Sequence, residues 1–471
     1  MMDDFAVIGG GIGGACSALF LSKHYQTTLY EKEPYLGGCS STFKHGKYHY
    51  NTGATTFAGY QVGSYLHHLF EQSNIHLETK KLTSALTVLI DGKKIERFSD
   101  KKAFLDEINK VFYHPKNKSF YELIISLQHQ FFAIHDYYYS NASWTKKIAS
   151  LYSFKTLFKT FYPYLFGDAK SFITHFFGGI SPQYFNYLDN QILIVAQAKL
   201  HEVNFLTAAL ALSYQFMENH YVFGGMGAIF EGIEKVLPHV HKKTMIEKII
   251  PYKNHYLLHT KTHTFEAKNI VLNASLFEAK HLFDTPTIKR YLQHYQPLDA
   301  HISAFVCYFT IQHTKTLNHH YQIILPQTLP YTISNSLFVS FGDTEDEKMA
   351  HSVTVSVHVN ENEWQEATIL EQKMELEAII EQILCKHFGF TSEEICARFS
   401  GSAQTFKRYI NRSSLGGIPM RLENLLFKLP SNDSPFKGLY HVGDTTFAAQ
   451  GWPGVMMGVR NLERLVCNPY F

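Results

Sequence analysis

No C-x-x-C pair occurs among the six cysteines, at positions 16, 39, 307, 385, 396 and 467. Their scatter argues against structural zinc, whose ligands come in close pairs, and against a disulfide framework; it suits a reducing compartment. Charge of one sign is also missing, with 43 Lys and Arg against 41 Asp and Glu. Without a basic field, nucleic acid is not an expected partner. No apolar run reaches the roughly 18 residues that span a bilayer. The opening "MMDDFAVIGGG" carries acids where a signal peptide would be basic. The chain is therefore expected in the cytoplasm, free or peripheral to a membrane. It has no G-x-S-x-G and no internal repeat, which removes the usual signs of a hydrolase and of a solenoid. Histidines number 27, yet neither "HVH" (His239, His241) nor His255, His259 and His263 comes with an acid or Cys at zinc spacing. No metal is expected.

What the chain does contain is glycine in two distant places. The first is "FAVIGGGIGGACSALFLSKHYQTTLYEKE", which reads as strand, tight turn, helix, strand. Phe5–Ile8 is a short apolar run of the kind buried in a parallel sheet. Gly9, Gly11 and Gly14 satisfy G-x-G-x-x-G: a tight turn, room for a pyrophosphate, and close packing of helix on strand. The helix spans about 13–23, so amides around Ile12 and Gly13 aim with its positive end at phosphate. Glu31, with Lys32 beside it, ends the second strand. A carboxylate there accepts hydrogen bonds from ribose hydroxyls and repels a 2′-phosphate. These residues predict a dinucleotide site and leave NAD and FAD undistinguished.

The next segment, "EKEPYLGGCSSTFKHGKYHYNTGATTFAGY", has a Gly-Gly pair followed by small and hydroxyl residues. Here the chain resembles the flavoprotein superfamily of phytoene desaturases, carotenoid isomerases, retinol saturases and amine oxidases. The resemblance implies that Gly37 and Gly38 turn over the pyrophosphate, with Cys39 and Ser40 following, and that Ala54 and Thr55 reach the flavin. Relatives often have Arg after the Gly pair, whereas Cys39 stands there in this chain. The family's G-x-x-F-D-x-G segment is matched by 46–53, with Tyr50 for Phe and Asn51 for Asp.

The second glycine-rich stretch, "GLYHVGDTTFAAQGWPGVMMGVRNLERLV", closes the comparison. It resembles the family's C-terminal motif, which implies that Gly443 and Asp444 contact the pyrophosphate–ribityl region. Gly451, Trp452, Gly454 and Val455 would then open a helix whose amides face the flavin pyrimidine edge. Pro453 is expected at the first helical position. Amine oxidases more often carry Gly-Glu here, so Asp444 points away from them. FAD is the expected cofactor. A weaker match over about 220–280 implies that Ile246 touches the adenine through its backbone.

The expected fold is α/β: a discontinuous Rossmann-type FAD-binding domain (1–80, 218–285, 420–471) and an α+β substrate domain (81–217, 286–419). The latter would hold a mixed β-sheet and a helical cap over 100–200. "NEWQEATILEQKMELEAIIEQILCKHFG" reads as a long amphipathic helix ended by Gly389. Apolar residues at 151, 154, 157–158 and 161–162, with Lys155 and Lys159 elsewhere on the wheel, suit cap packing or an interfacial helix around 145–170.

The resemblance implies an oxidoreductase that desaturates, saturates or isomerises C=C bonds of a long apolar, polyene-, retinoid- or lipid-like substrate. Aromatic residues, 15% of the chain, suit a lipophilic channel as well as a large core. An amine oxidase and a flavin-bound scaffold without turnover are the alternatives. No side chain is assigned as catalytic acid or base, because a polyene offers few protons to move. Substrate, electron acceptor, reaction direction and oligomeric state stay open at this point.

Overall fold

The run Asp3–Ile8 forms the central strand of a seven-stranded sheet and lies parallel between Thr27–Tyr30 and Thr264–Leu272. The structure, a computed structural model, describes residues 2–133, 148, 155, 158–344, 349–364, 366–424, 429–447 and 450–467. Val240–His241 extends the sheet beyond Thr27–Tyr30. On its other side Thr264–Leu272 is shared: its first half pairs antiparallel with His255–His259, and Ile270–Leu272 pairs parallel with Leu439–His441. Residues from both ends of the chain thus lie in one sheet. The helix Ile12–Leu21 follows the first strand, and the closing helix Gly451–Cys467 packs in the same cluster, with Leu19 and Phe20 beside Val455, Val459 and Leu462. Burial on both faces explains why these strands read as continuous apolar runs.

The second sheet is mixed. Its order is Ile395–Gly401, Ile302–Gln312, Ala350–Asn360, Ser336–Thr344, His320–Ile324, Ser84–Ile90 and Lys93–Phe98. The pairing of His320–Ile324 with Ser84–Ile90 is parallel and the others are antiparallel. One face packs on helix Ile369–Phe388, whose Leu376, Ile380 and Leu384 are fully buried. The helix ends as read from sequence, at Gly389 with φ 66°. Its start differs. Glu361–Glu363 forms a separate turn, and Trp364 is buried with its ring stacked 5.1 Å from Phe305. Packing of one large ring overrides the helical pattern there.

The cap consists of helices Lys101–Val111, Asn117–Phe132, Ala169–Phe177, Pro182–Ala196 and Phe205–Leu212 around one aromatic-rich cluster. Arg97 ties cap to sheet: its buried guanidinium donates to Gln191, Gln215 and the Leu212 carbonyl, all neutral partners. Most of the 145–170 segment named for membrane contact lies outside the described residues. Of its described part, Phe161 is buried in the cap, whereas Tyr162 and Phe166 are exposed. Among the described residues no helix is long and apolar enough to cross a membrane.

Candidate functional site

The turn after the first strand is built as its glycine spacing requires. Gly9 has φ 97°, and a Cβ on Gly14 would lie 1.9 Å from the Gly9 carbonyl oxygen, so the helix sits on the turn only without a side chain. The helix begins at Ile12, leaving its first amides free of intrahelical partners. Glu31 directly follows the strand Thr27–Tyr30. Its Oε2 accepts from the Gly10 amide at 2.7 Å and its Oε1 from the Glu33 amide at 2.9 Å. Burial pushes its pKa up, against the pull of those two amides. A carboxylate has about four lone-pair sites, so the held group retains acceptor capacity toward the cavity it lines. Lys32 lies at the rim, bonded to the Arg408 carbonyl and paired with Glu33.

The Gly37–Gly38 turn docks against this loop: the Gly37 amide donates to the Gly10 carbonyl at 2.8 Å. The Ala54 amide in turn donates to the Cys39 carbonyl at 3.1 Å. Thr55 accepts a hydrogen bond from Ser340 of the second sheet at 2.6 Å, which joins the two halves of the site. The Tyr48–Asn51 strand that precedes them is scaffold. Asn51 Oδ1 accepts from Thr42 Oγ1 and from the Met226 amide, both at 2.9 Å, and Tyr50 bonds Thr310. The Cys39 thiol is pushed up by burial, partly countered by Arg412 nearby, so it is a small neutral group and not a thiolate nucleophile.

Asp444 follows the strand Leu439–His441 at the end of the parallel sheet, where such folds bind their ligands. It does not stand alone. Arg412 Nη1 and Nη2 donate to Asp444 Oδ1 and Oδ2 at 2.8 and 2.7 Å, a bidentate pair with both side chains largely buried. Burial alone would raise the Asp444 pKa, but the guanidinium wins and holds the carboxyl below its usual range. Arg412 is delivered by a helix end: Ala403–Ile410 stops at Asn411, whose left-handed backbone (φ 56°) turns the chain into the site. The loop then lies so close to Asp444 that a Cβ on Gly417 would come within 2.0 Å of the Asp444 carbonyl oxygen. Arg412 lies in "TFKRYINRSSLGG" (405–417), which resembles a family segment near the flavin, but the sequence alone does not single it out. The available signal was the missing Arg at Cys39: a cation absent at one place has to come from another, and Arg412 lies beside that thiol.

One cavity of about 1320 Å³ connects these groups. Of the site residues read from sequence, all but Gly14 and Gly454 line it, Ile246 among them. The volume exceeds the roughly 300–1,000 Å³ of a pocket for one drug-sized ligand, leaving room for a dinucleotide and a second molecule. Beyond the glycine loops the lining continues over Ile194, Gln197 and Tyr214 of the cap side and over Ala304, Val306, Ser336, Phe338, Ser356 and His358 of the mixed sheet. The sequence reading missed all of these. The closing helix starts at Gly451, so Pro453 stands in its first turn and not at its first position. The missing N–H is still one of the four that no helix satisfies internally. Trp452 packs edge-on against Phe57 at 4.9 Å. Among the described residues one group has metal-ligand composition, Asp299, His301 and Glu361; in it His301 Nδ1 already contacts Glu361 Oε1 at 2.7 Å.

Fold and cradle thus define a Rossmann-type dinucleotide-binding protein whose one large cavity extends from the glycine loops to the mixed sheet. Residues 7–73 match the NAD(P)-binding Rossmann-like domain family. The chain is 24% identical to a chloroplastic prolycopene isomerase of Daucus carota over 95% of its own length and 77% of the relative's. Among solved structures, an oxidoreductase from Methanosarcina mazei superposes with a TM-score of 0.67 at 16% identity, covering 98% of this chain and 99% of that one. Putrescine oxidase bound to putrescine gives 0.67 at 14%, covering 100% and 99%. The chain is thus similar in sequence to prolycopene isomerases and in fold to oxidoreductases such as putrescine oxidase.

Proposed function

We propose that the protein is an FAD-dependent oxidoreductase that acts on carbon–carbon double bonds of a long, unsaturated lipophile. The observation that carries the reading is where the carboxylates fall along the cavity. Glu31, Glu33, Glu247, Glu278 and Asp444 all come from the nucleotide half, and the stretch from Ile194 and Tyr214 to the mixed sheet has none. An ammonium substrate would need an anion there or rings that cage it; the stretch has no carboxylate, and the rings of Tyr214 and Phe338 stand among aliphatic Ile194, Ala304 and Val306. This sets the reading apart from the amine oxidase alternative, which the fold shared with putrescine oxidase would otherwise allow.

In this reading Glu31 accepts the ribose hydroxyls, and the amides at the start of Ile12–Leu21 face the pyrophosphate. The Arg412–Asp444 pair supplies the cation that Cys39 does not, and fixes the Asp444 carboxylate toward the ribityl region. Amides at the start of Gly451–Cys467 face the ring's pyrimidine edge, where a helix N-terminus favours negative charge. Once bound, the flavin supplies the electron-transfer chemistry, and the protein orients substrate and keeps water out. The test is reconstitution. FAD-loaded protein incubated with poly-cis and partly saturated polyenes should change their chromatographic profile, while putrescine should yield no hydrogen peroxide. Peroxide from amines with inert polyenes would overturn the reading.

A further inference from the structure

The two faces of the mixed sheet differ in chemistry. Toward helix Ile369–Phe388 it presents Val353, Val355, Val357 and Val359 with Phe305 and Cys307, a hydrocarbon surface. Because strand side chains alternate, the intervening residues face the cavity. There Ser356 and His358 stand two apart on one strand. The register sets His358 opposite Ala304, and Ser356 between Val306 and Phe338. Both line the cavity. Among the described residues neither the His358 ring nor the Ser356 hydroxyl has a hydrogen-bond partner. Burial holds the imidazole neutral, at about 4. It therefore offers one donor and one acceptor, and the serine adds a hydroxyl.

A purely hydrocarbon chain laid on this floor would strip water from both groups and give nothing back, which is costly for any buried donor or acceptor. Ser336, on the neighbouring strand, differs: it is satisfied by Gln322 and Ser334. Among the described residues, Gln197 Oε1 and Ser400 Oγ elsewhere on the lining are also unpartnered, but His358 and Ser356 are two adjacent side chains set among Ala304, Val306 and Phe338. We propose that the cavity takes an oxygenated lipophile, a long unsaturated chain bearing a hydroxyl or carbonyl group, whose oxygen is bound by His358 with Ser356 beside it. This rests on the reading of a lipophilic substrate given above and names its class more narrowly. His358 and Ser356 here determine specificity and do not perform the chemistry.

The test is equilibrium binding to the FAD-loaded protein in detergent micelles, followed by perturbation of the flavin absorbance. Two probes are compared, a terminally hydroxylated polyene and its hydrocarbon parent. The protein should favour the hydroxylated probe by about tenfold or more, the effect of one hydrogen bond made in a desolvated site. His358→Leu should abolish the preference and tighten binding of the hydrocarbon. His358→Gln, which keeps a donor and an acceptor, should retain part of it, and Ser356→Ala should lose part. The latter two are small changes that keep the test usable if His358→Leu fails to fold. Equal affinities for the two probes, as when water satisfies both groups, would overturn the inference, and so would a preference that survives in His358→Leu. A flavin-loaded protein that binds only the hydrocarbon defeats this inference alone. One that binds neither probe defeats the lipophile reading with it.

Discussion

At Asp444 a carboxylate and a guanidinium leave bulk water together, and each is stable there only because of the other. Removing one partner of such a pair costs about 3–5 kcal/mol, since the remaining charge is stranded. Arg412→Ala should therefore lower the melting temperature and release flavin, whereas Arg412→Lys, which lacks the bidentate fork, should recover only part. The pH dependence has a definite sign. The Asp444 pKa is depressed in the fold, so its contribution is full above the unfolded value of about 3.9 and is lost as pH falls through the folded value. In Arg412→Ala burial is opposed only by the Asp444 and Thr445 backbone amides, and the loss should move to higher pH; superimposable stability–pH curves for the two proteins would count against the pair. Glu31 behaves differently. Burial raises its pKa, so its charge is a burden to the empty fold and an asset to the loaded one. Glu31→Gln lifts that burden but leaves one of the Gly10 and Glu33 amides facing an NH2 that cannot accept. The flavin-free protein should therefore change little in stability, yet flavin retention should weaken by about tenfold or more, as expected for a hydrogen bond to a charged group worth about 1.5–3 kcal/mol. Fluorescence of released flavin and melting of the stripped protein measure the two effects separately.

Among elements, the helix Ile369–Phe388 supports the hydrocarbon face of the mixed sheet and has no residue in the cavity. Ile380 is fully buried in that layer, so Ile380→Ala should cost about 2–5 kcal/mol. The loss should appear in denaturant midpoint with little change in flavin binding by the folded fraction; a selective loss of flavin would mean that the layer transmits strain to the site. This helix was legible from its apolar spacing and from Gly389, because both signals are local. The strand–turn–helix at Gly9–Gly14 was legible for the same reason: its constraints act within a dozen residues. Trp364 was not, since its burial depends on Phe305, which is remote in sequence. The cavity floor was not either. Alternation states that Ser356 and His358 share a face with each other and oppose Val355 and Val357, but which face meets the cavity is decided by the register against Ile302–Gln312 and Ser336–Thr344. Arg412 falls between these cases: its segment was recognised, but its salt bridge spans 32 residues and requires the left-handed turn at Asn411.

The whole molecule carries buried histidines that couple its stability to mild acid. His441, in the strand just before Asp444, is fully buried, stacks on Tyr291 at 5.9 Å, and has no hydrogen-bond partner on either ring nitrogen among the described residues. Burial pushes it down to about 3. His320, on the mixed sheet, is also at about 3, through burial and then through the nearby His319; its Nδ1 lies 3.0 Å from Ser340 Oγ. Both rings are neutral in the fold and take up protons on unfolding once pH drops below the unfolded value of about 6.5. The stability they allow is full above that value and lost progressively as pH falls toward 3, by about 1.4 kcal/mol per pH unit for each ring. The two rings lie in different sheets, so acid should weaken both halves of the molecule and open the site where they meet at Thr55 and Ser340. The melting temperature should thus fall between pH 7 and pH 5, well before the Asp444 pair is affected. His441→Phe, which keeps the ring on Tyr291 and removes two unmet polar atoms, should be at least as stable as the parent at pH 7 and should flatten the curve. Parent and variant curves that stay parallel down to pH 5 would show that His441 already carries a proton, or an unseen partner, in the folded chain.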